Sequence, residues 1–265
     1  MFAEAELACI RPAKPGVKRR PHWDLLMSLA ISVVVPVKDE AENVGPLARE
    51  IAAALAAEPA HEILFIDDGS ADGTVQALLA LRNEIPQLRV LRHGRNLGQS
   101  RGVRSGVMAA KGDVIVTLDG DGQNDPADIP KLLRELRANP ALGMVSGVRV
   151  KRQDTASRRM ASRLGNRFRN WMLKDGATDT GCGLKAFRRD AYLLLPYFDH
   201  QHRFLIALMR REGFGVGFVP VGHRARLAGQ SKYTNLGRLL VSVNDLLGVR
   251  WLIGRHRGPA GTEEL

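Results

Sequence analysis

Four short runs rich in β-branched residues mark the first half of the chain, and helical spacing fills the segments between them. The runs are ISVVVP (31–36), EILFID (62–67), LRVLRH (88–93) and DVIVTLD (113–119). The intervening segments are Ala-rich from Val44 to Ala57, restart near Asp72, and run again from Gly98 to Ala110. Strands that are apolar almost continuously, rather than at every second position, are buried on both faces. Alternated with helices, they specify an α/β domain with a mostly parallel sheet covered on both sides. A further helix is expected after Pro126 and a further strand at MVSGV (144–148).

Beyond Val150 this alternation stops. Residues 151–174 are dense in arginine (152, 158, 159, 163, 167 and 169) on a helical pattern. A Gly-rich stretch at 176–183 follows, then an apolar helix near 203–212, a strand near 216–221 and an amphipathic helix from Leu236 to Ile253. Residues 1–28 hold Pro12, Pro15, Pro21 and the basic cluster Lys18, Arg19 and Arg20, and read as a flexible basic tail. The expected division is therefore a tail over 1–28, a catalytic-type domain over 29–225, and a closing loop with a surface helix over 226–265.

Charge narrows the function. Lys and Arg number 39 against 28 Asp and Glu, a formal net charge of +11. Such a surface attracts phosphorylated substrates, anionic lipid or nucleic acid. Nucleic acid is disfavoured, because no recognisable binding module is present and aromatic residues for stacking make up only 5%. The apolar run Leu25 to Val35 runs straight into Pro36, Lys38, Asp39 and Glu40, as a buried first strand does and a cleaved leader does not. No stretch approaches the ~20 apolar residues a spanning helix needs. Cys9 and Cys182 are far apart and form neither a zinc spacing nor a disulfide framework, which accords with a cytoplasmic protein.

The chemistry concentrates at the ends of the expected strands. DGDGQ (119–123) directly follows VIVTL. Two carboxylates with one small residue between them at a strand end can share a hard cation such as Mg2+ or Mn2+ over a diphosphate, with Gln123 adding an oxygen. A plain Asp/Gly turn has the same composition. PVKDEAE (36–42) and DDGS (67–70) end the first two strands, so three acidic, polar loops converge on one edge of the sheet, where α/β proteins bind ligands.

PVKDEAENV, DDGSADGT and RNLGQSRGVRSGVMAAKGDVIVTLDGDGQNDP, in this order, resemble the family 2 glycosyltransferases. Within them the chain is similar to the dolichyl-phosphate mannosyltransferase-like branch, which includes bacterial polyprenyl-phosphate glycosyltransferases. The resemblance spans about residues 31–240 and implies the GT-A fold, while the chain's own hydropathy leads to the expectation of no transmembrane helices. It implies that Pro36, Lys38, Glu40 and Asp68 hold the nucleoside. Asp119 and Asp121 then bind the metal and diphosphate with support from Gln123. Arg149 and Arg163 are implied to receive the acceptor phosphate, with Arg152, Arg158 and Arg159 in reserve. Asp179, in DTGCGLKAFRR (179–189), is implied to assist the reaction by positioning, and Arg226, Ser231 and Lys232, in RLAGQSKYTNLGRL (226–239), to close over the donor phosphates. Glu40 and Asp68 also suit turn and cap roles, and Arg101 suits either an anion contact or an exposed helix position.

The implied reaction transfers a sugar, with inversion, from a GDP- or UDP-sugar to a polyprenyl phosphate. The implied setting is the inner, cytoplasmic membrane face, with the protein held peripherally by anionic lipid. Departures from relatives sharpen this. LGVRW (247–251) lacks the Gln of the QxxRW motif of processive synthases. The helix 236–253 suits either lying on the bilayer or docking against the protein core or a membrane-protein partner. A transferase acting on a glycan or soluble hydroxyl, and a non-catalytic nucleotide-sugar-binding subunit, are the competing readings.

Overall fold

The computed structural model describes residues 30–58, 60–150, 167–224 and 235–258, with side chains described from 243 onward in the last segment. Strands β1 (Ile31–Val37), β2 (His61–Asp67), β3 (Leu88–Arg92), β4 (Val114–Thr117), β5 (Leu142–Arg149), β6 (Lys185–Arg188) and β7 (Gly215–Val221) form one sheet in the order β3-β2-β1-β4-β6-β5-β7. Only β6 runs antiparallel, wedged between β4 and β5. The helices are α1 (Ala41–Ala54), α2 (Thr74–Ala80), α3 (Gln99–Ala109), α4 (Ile129–Ala138), α5 (167–173), α6 (Arg189–Leu193), α7 (Leu205–Arg211) and α8 (Asn235–Arg255).

Strand composition explains the layering. Alternate side chains of β1 point to opposite faces. Val33 and Val35 join α1 and α4 in one core, while Val34 joins α3, α7 and α8 in the other. Both faces of the central strands are dry, which is why no polar alternation is visible in them.

The close seat of α3 depends on two glycines one turn apart. A Cβ on Gly106 would overlap Val34 and Ile66, and one on Gly102 would press on Pro36. Gly102 therefore acts in packing. Arg101, left open between two roles, lies exposed over the Tyr197 ring, 5.2 Å from its centroid.

The parallel sheet and its helices were legible beforehand, but β6 and α6 were not. The segment KAFR is only four residues long with a cation at each end, so neither its length nor its polarity marks a core strand. Among the described residues, no helix is long and apolar enough to cross a membrane.

Candidate active site

The carboxyl ends of β1, β2, β4 and β5 and the entry to β6 surround a cavity of about 550 Å3. Pro36, Lys38, Glu40, Asp68, Asp119, Asp121, Gln123 and Arg149, all expected site residues, line it together. Arg163, Arg226, Ser231 and Lys232 lie outside the described residues, as do Arg152, Arg158, Arg159 and Tyr233.

Local chemistry holds each loop in place. After β1, Asp39 adopts a left-handed conformation (φ 48°) and its Oδ1 accepts the Ala71 N–H at 2.8 Å. Lys38 donates to the Gly69 carbonyl at 3.2 Å, binding the first loop to the second. Gly69, at φ 71°, lies so close to the Arg95–Asn96 backbone that no side chain would fit. Asp68 accepts the N–H groups of Leu97 and Gly98, each at 2.8 Å, and its Oδ1 meets His93 Nδ1 at 2.8 Å. Its carboxylate thus lines the cavity while fastening the chain that enters α3.

The start of α3 is a hub for three loops. Gly98 reaches Asp68 through its backbone, and the Gln99 amide donates to Asp119 Oδ1 at 2.7 Å. Ser100 meets His202, on the turn before α7, at 2.7 Å. Neither Gln99 nor His202 was foreseen as a site residue. Each lies far along the chain from the loop it touches, so no local spacing marks it.

Asp119 and Asp121 occupy the turn after β4, where Asp121 Oδ1 accepts the Gln123 N–H at 3.1 Å and Gly122 takes φ 72°. Desolvation, and then the neighbouring Asp121 charge, push the Asp119 carboxyl above its ordinary value. A Cβ on Gly183 would collide with the Asp119 carboxylate, so the glycine shapes the wall behind it. Two crowded carboxylates with a small-residue wall match the needs of one divalent cation, which would relieve their repulsion and take its remaining oxygens from a diphosphate. Among the described residues no group of three or more His, Cys, Asp or Glu side chains gathers to hold a metal.

Arg149, at the end of β5, grips Asp179 with a fork. Nε and Nη2 each donate to a different carboxylate oxygen at 2.7 Å, and the Gly181 N–H adds a bond at 3.2 Å. Burial works against the guanidinium charge, but Asp179 outweighs it and raises the Arg149 pKa. These two residues, expected in separate roles, operate as a unit with Asp179 behind the cavity wall. Lys185, also unforeseen, lines the cavity from β6 and donates to the Cys182 carbonyl; burial lowers its pKa. The chain leaving β7 returns to the acidic turn. His223 pairs with Asn124, the Arg224 N–H donates to the Gln123 carbonyl at 3.0 Å, and Arg224 bridges Glu50 and Asp125.

A seven-stranded, mostly parallel sheet of this order, with an acidic turn at the end of β4, defines a GT-A-type transferase fold. One solved neighbour is a Mycobacterium tuberculosis glucosyl-3-phosphoglycerate synthase in complex with Mn2+, UDP-glucose and glycerol 3-phosphate. It aligns with a TM-score of 0.66 over 93% of this chain and 87% of its own, at 18% identity, a likeness of fold. The glycosyl transferase family 2 model matches residues 32–194, and the chain belongs to that family. A Rhizobium johnstonii dodecaprenyl-phosphate galacturonate synthase is 34% identical over 90% of this chain and 71% of its own length. A Yersinia pestis undecaprenyl-phosphate 4-deoxy-4-formamido-L-arabinose transferase is 33% identical over 82% and 66%. The chain thus spans about two thirds of the length of these relatives.

Proposed function

We propose that the chain transfers a sugar, with inversion, from a UDP- or GDP-sugar to a polyprenyl phosphate at the cytoplasmic membrane face. The observation that carries this reading is the Asp119–Asp121 pair sharing one cavity with the nucleoside-side loops and Arg149. The acceptor class is supported by the two polyprenyl-phosphate relatives. The transferase domain would be 29–225, with 226–265 as closing loop and surface helix.

Pro36, Lys38, Glu40 and Asp68 form the nucleoside end. Asp119 and Asp121, with Gln123 beside them, would hold Mg2+ or Mn2+. When bound, that ion neutralises charge on the departing diphosphate. A phosphate monoester has a second pKa of ~6, so it arrives largely ionised and needs little deprotonation. A carboxylate free to act as general base is then dispensable, in keeping with Asp179 being engaged by Arg149. Asp179 orients the guanidinium, and Arg149, with Arg163, guides the acceptor phosphate.

The test is incubation of the purified chain with labelled UDP-glucose, UDP-galacturonate or GDP-mannose and undecaprenyl phosphate. Label enters the organic phase with Mn2+, and is lost with EDTA or in Asp121→Ala. Full turnover by Asp121→Ala would remove the metal assignment, and donor hydrolysis without lipid product would remove the acceptor.

A further inference from the structure

We infer that His202 is a neutral N–H donor to the sugar moiety of the donor substrate, set in that form by Ser100; this rests on the nucleotide-sugar reading above. His202 sits in a one-turn helix, Gln201–Arg203, that faces the cavity from the α7 side. The turn is held firmly. His200 before it is left-handed at φ 63°, and the buried Gln201 side chain bridges the Tyr192 hydroxyl (3.1 Å) and the Pro196 carbonyl (3.0 Å).

The tautomer is assigned from the contacts of Ser100. Ser100 Oγ accepts the backbone N–H of His202 at 3.2 Å and lies 2.7 Å from His202 Nδ1. With one lone pair taken by that N–H, the hydroxyl is assigned as the donor to Nδ1, which places the ring proton on Nε2. Burial first, then the charges of Lys185, Arg203 and His200, push the His202 pKa down to about 3, so the ring stays neutral. Phosphate is held more strongly by a charged donor, whereas a neutral N–H suits a hydroxyl or carbonyl oxygen.

Position selects the sugar. Pro36, Lys38 and Asp68 occupy the cavity end built by β1 and β2, and Asp119 and Asp121 the turn after β4. His202 lines the same cavity and is tied through Ser100 to the start of α3, where the Gln99 amide touches Asp119. With the diphosphate at Asp119 and the nucleoside over β1 and β2, the lining left for the sugar includes His202.

Calorimetry with Mn2+ would compare UDP-glucose, UDP-galacturonate and GDP-mannose with free UDP and GDP. His202→Ala is expected to weaken the nucleotide-sugar that wild type binds best by about tenfold, as loss of one hydrogen bond implies. Free nucleotide binding should change less than about twofold. His202→Gln, which keeps an N–H, recovers part of the loss. A long-range 1H–15N spectrum at pH 7 should show Nδ1 as the unprotonated nitrogen, and Ser100→Ala should release that preference. Equal losses for sugar-bearing and free nucleotides, unchanged nucleotide-sugar binding, or a protonated Nδ1 would overturn the assignment. Wild type that binds no nucleotide of either kind would instead overturn the reading on which it rests.

Discussion

Asp119 carries the sharpest conflict between stability and function in the molecule. It is desolvated and set against Asp121, with Gln99 as its amide partner and Gly183 pressed behind it. Crowding of this kind clusters at ligand-binding sites, where the surrounding structure holds it in place. Asp119→Asn removes the repulsion while keeping shape, so in metal-free buffer the variant should melt about 2–4 °C above wild type, a gain of roughly 1 kcal/mol. Its transferase turnover should be lost. A lower melting temperature by scanning calorimetry would show that the Asp119 charge is structurally favourable. The acidic pair was legible because its members are two residues apart at a strand end. Gly183 was not, because the carboxylate it accommodates is 64 positions away in sequence, and only the insertion of β6 beside β4 joins them.

Elements divide their labour by edge. The carboxyl ends of the strands hold the cavity, while the opposite edge holds a buried polar brace. Glu62 on β2 accepts the Ser32 hydroxyl of β1 and the Lys111 N–H before β4, and Arg89 of β3 pairs with its other oxygen. Ser32 in turn accepts the Gly112 N–H at 2.9 Å. Burial alone would raise the Glu62 pKa, but these donors together lower it. A carboxyl depressed on folding stabilises fully above its unfolded value of about 4.3, and the contribution fades as pH falls through the folded pKa. Glu62→Gln should therefore cost about 2 kcal/mol in urea unfolding at pH 7 and progressively less in acid, with kcat unchanged. A cost that does not shrink in acid would contradict the brace. The alternation of strands and helices up to β5 was legible from the sequence pattern. The hub at the start of α3 was not, because Gly98, Gln99 and Ser100 each reach a different loop, and such reach is set by packing through Gly102 and Gly106.

Across the whole molecule, net charge and exposed apolar groups are the features on which the proposed membrane-face placement rests. Leu246 and Val249 of α8 and Leu173 of α5 enter the same core. Outward, Trp251 is 61% exposed with Leu247 and Val243 on its helix, and Trp171 is 74% exposed beside Phe168. Apolar faces of this kind combined with a charge of +11 favour anionic bilayers. Vesicles containing phosphatidylglycerol should co-float the protein, and Trp171→Ser with Trp251→Ser should weaken that binding several-fold. Flotation that depends on neither substitution would place the contact elsewhere. A single incubation that offers two acceptors at once decides whether the acceptor is a lipid phosphate. Labelled nucleotide-sugar, Mn2+, undecaprenyl phosphate and 3-phosphoglycerate would be incubated with the chain and the phases separated. Label is expected in the organic phase as an alkali-stable, acid-labile monophosphate lipid. Label confined to the aqueous phase as glycosyl-phosphoglycerate would contradict it.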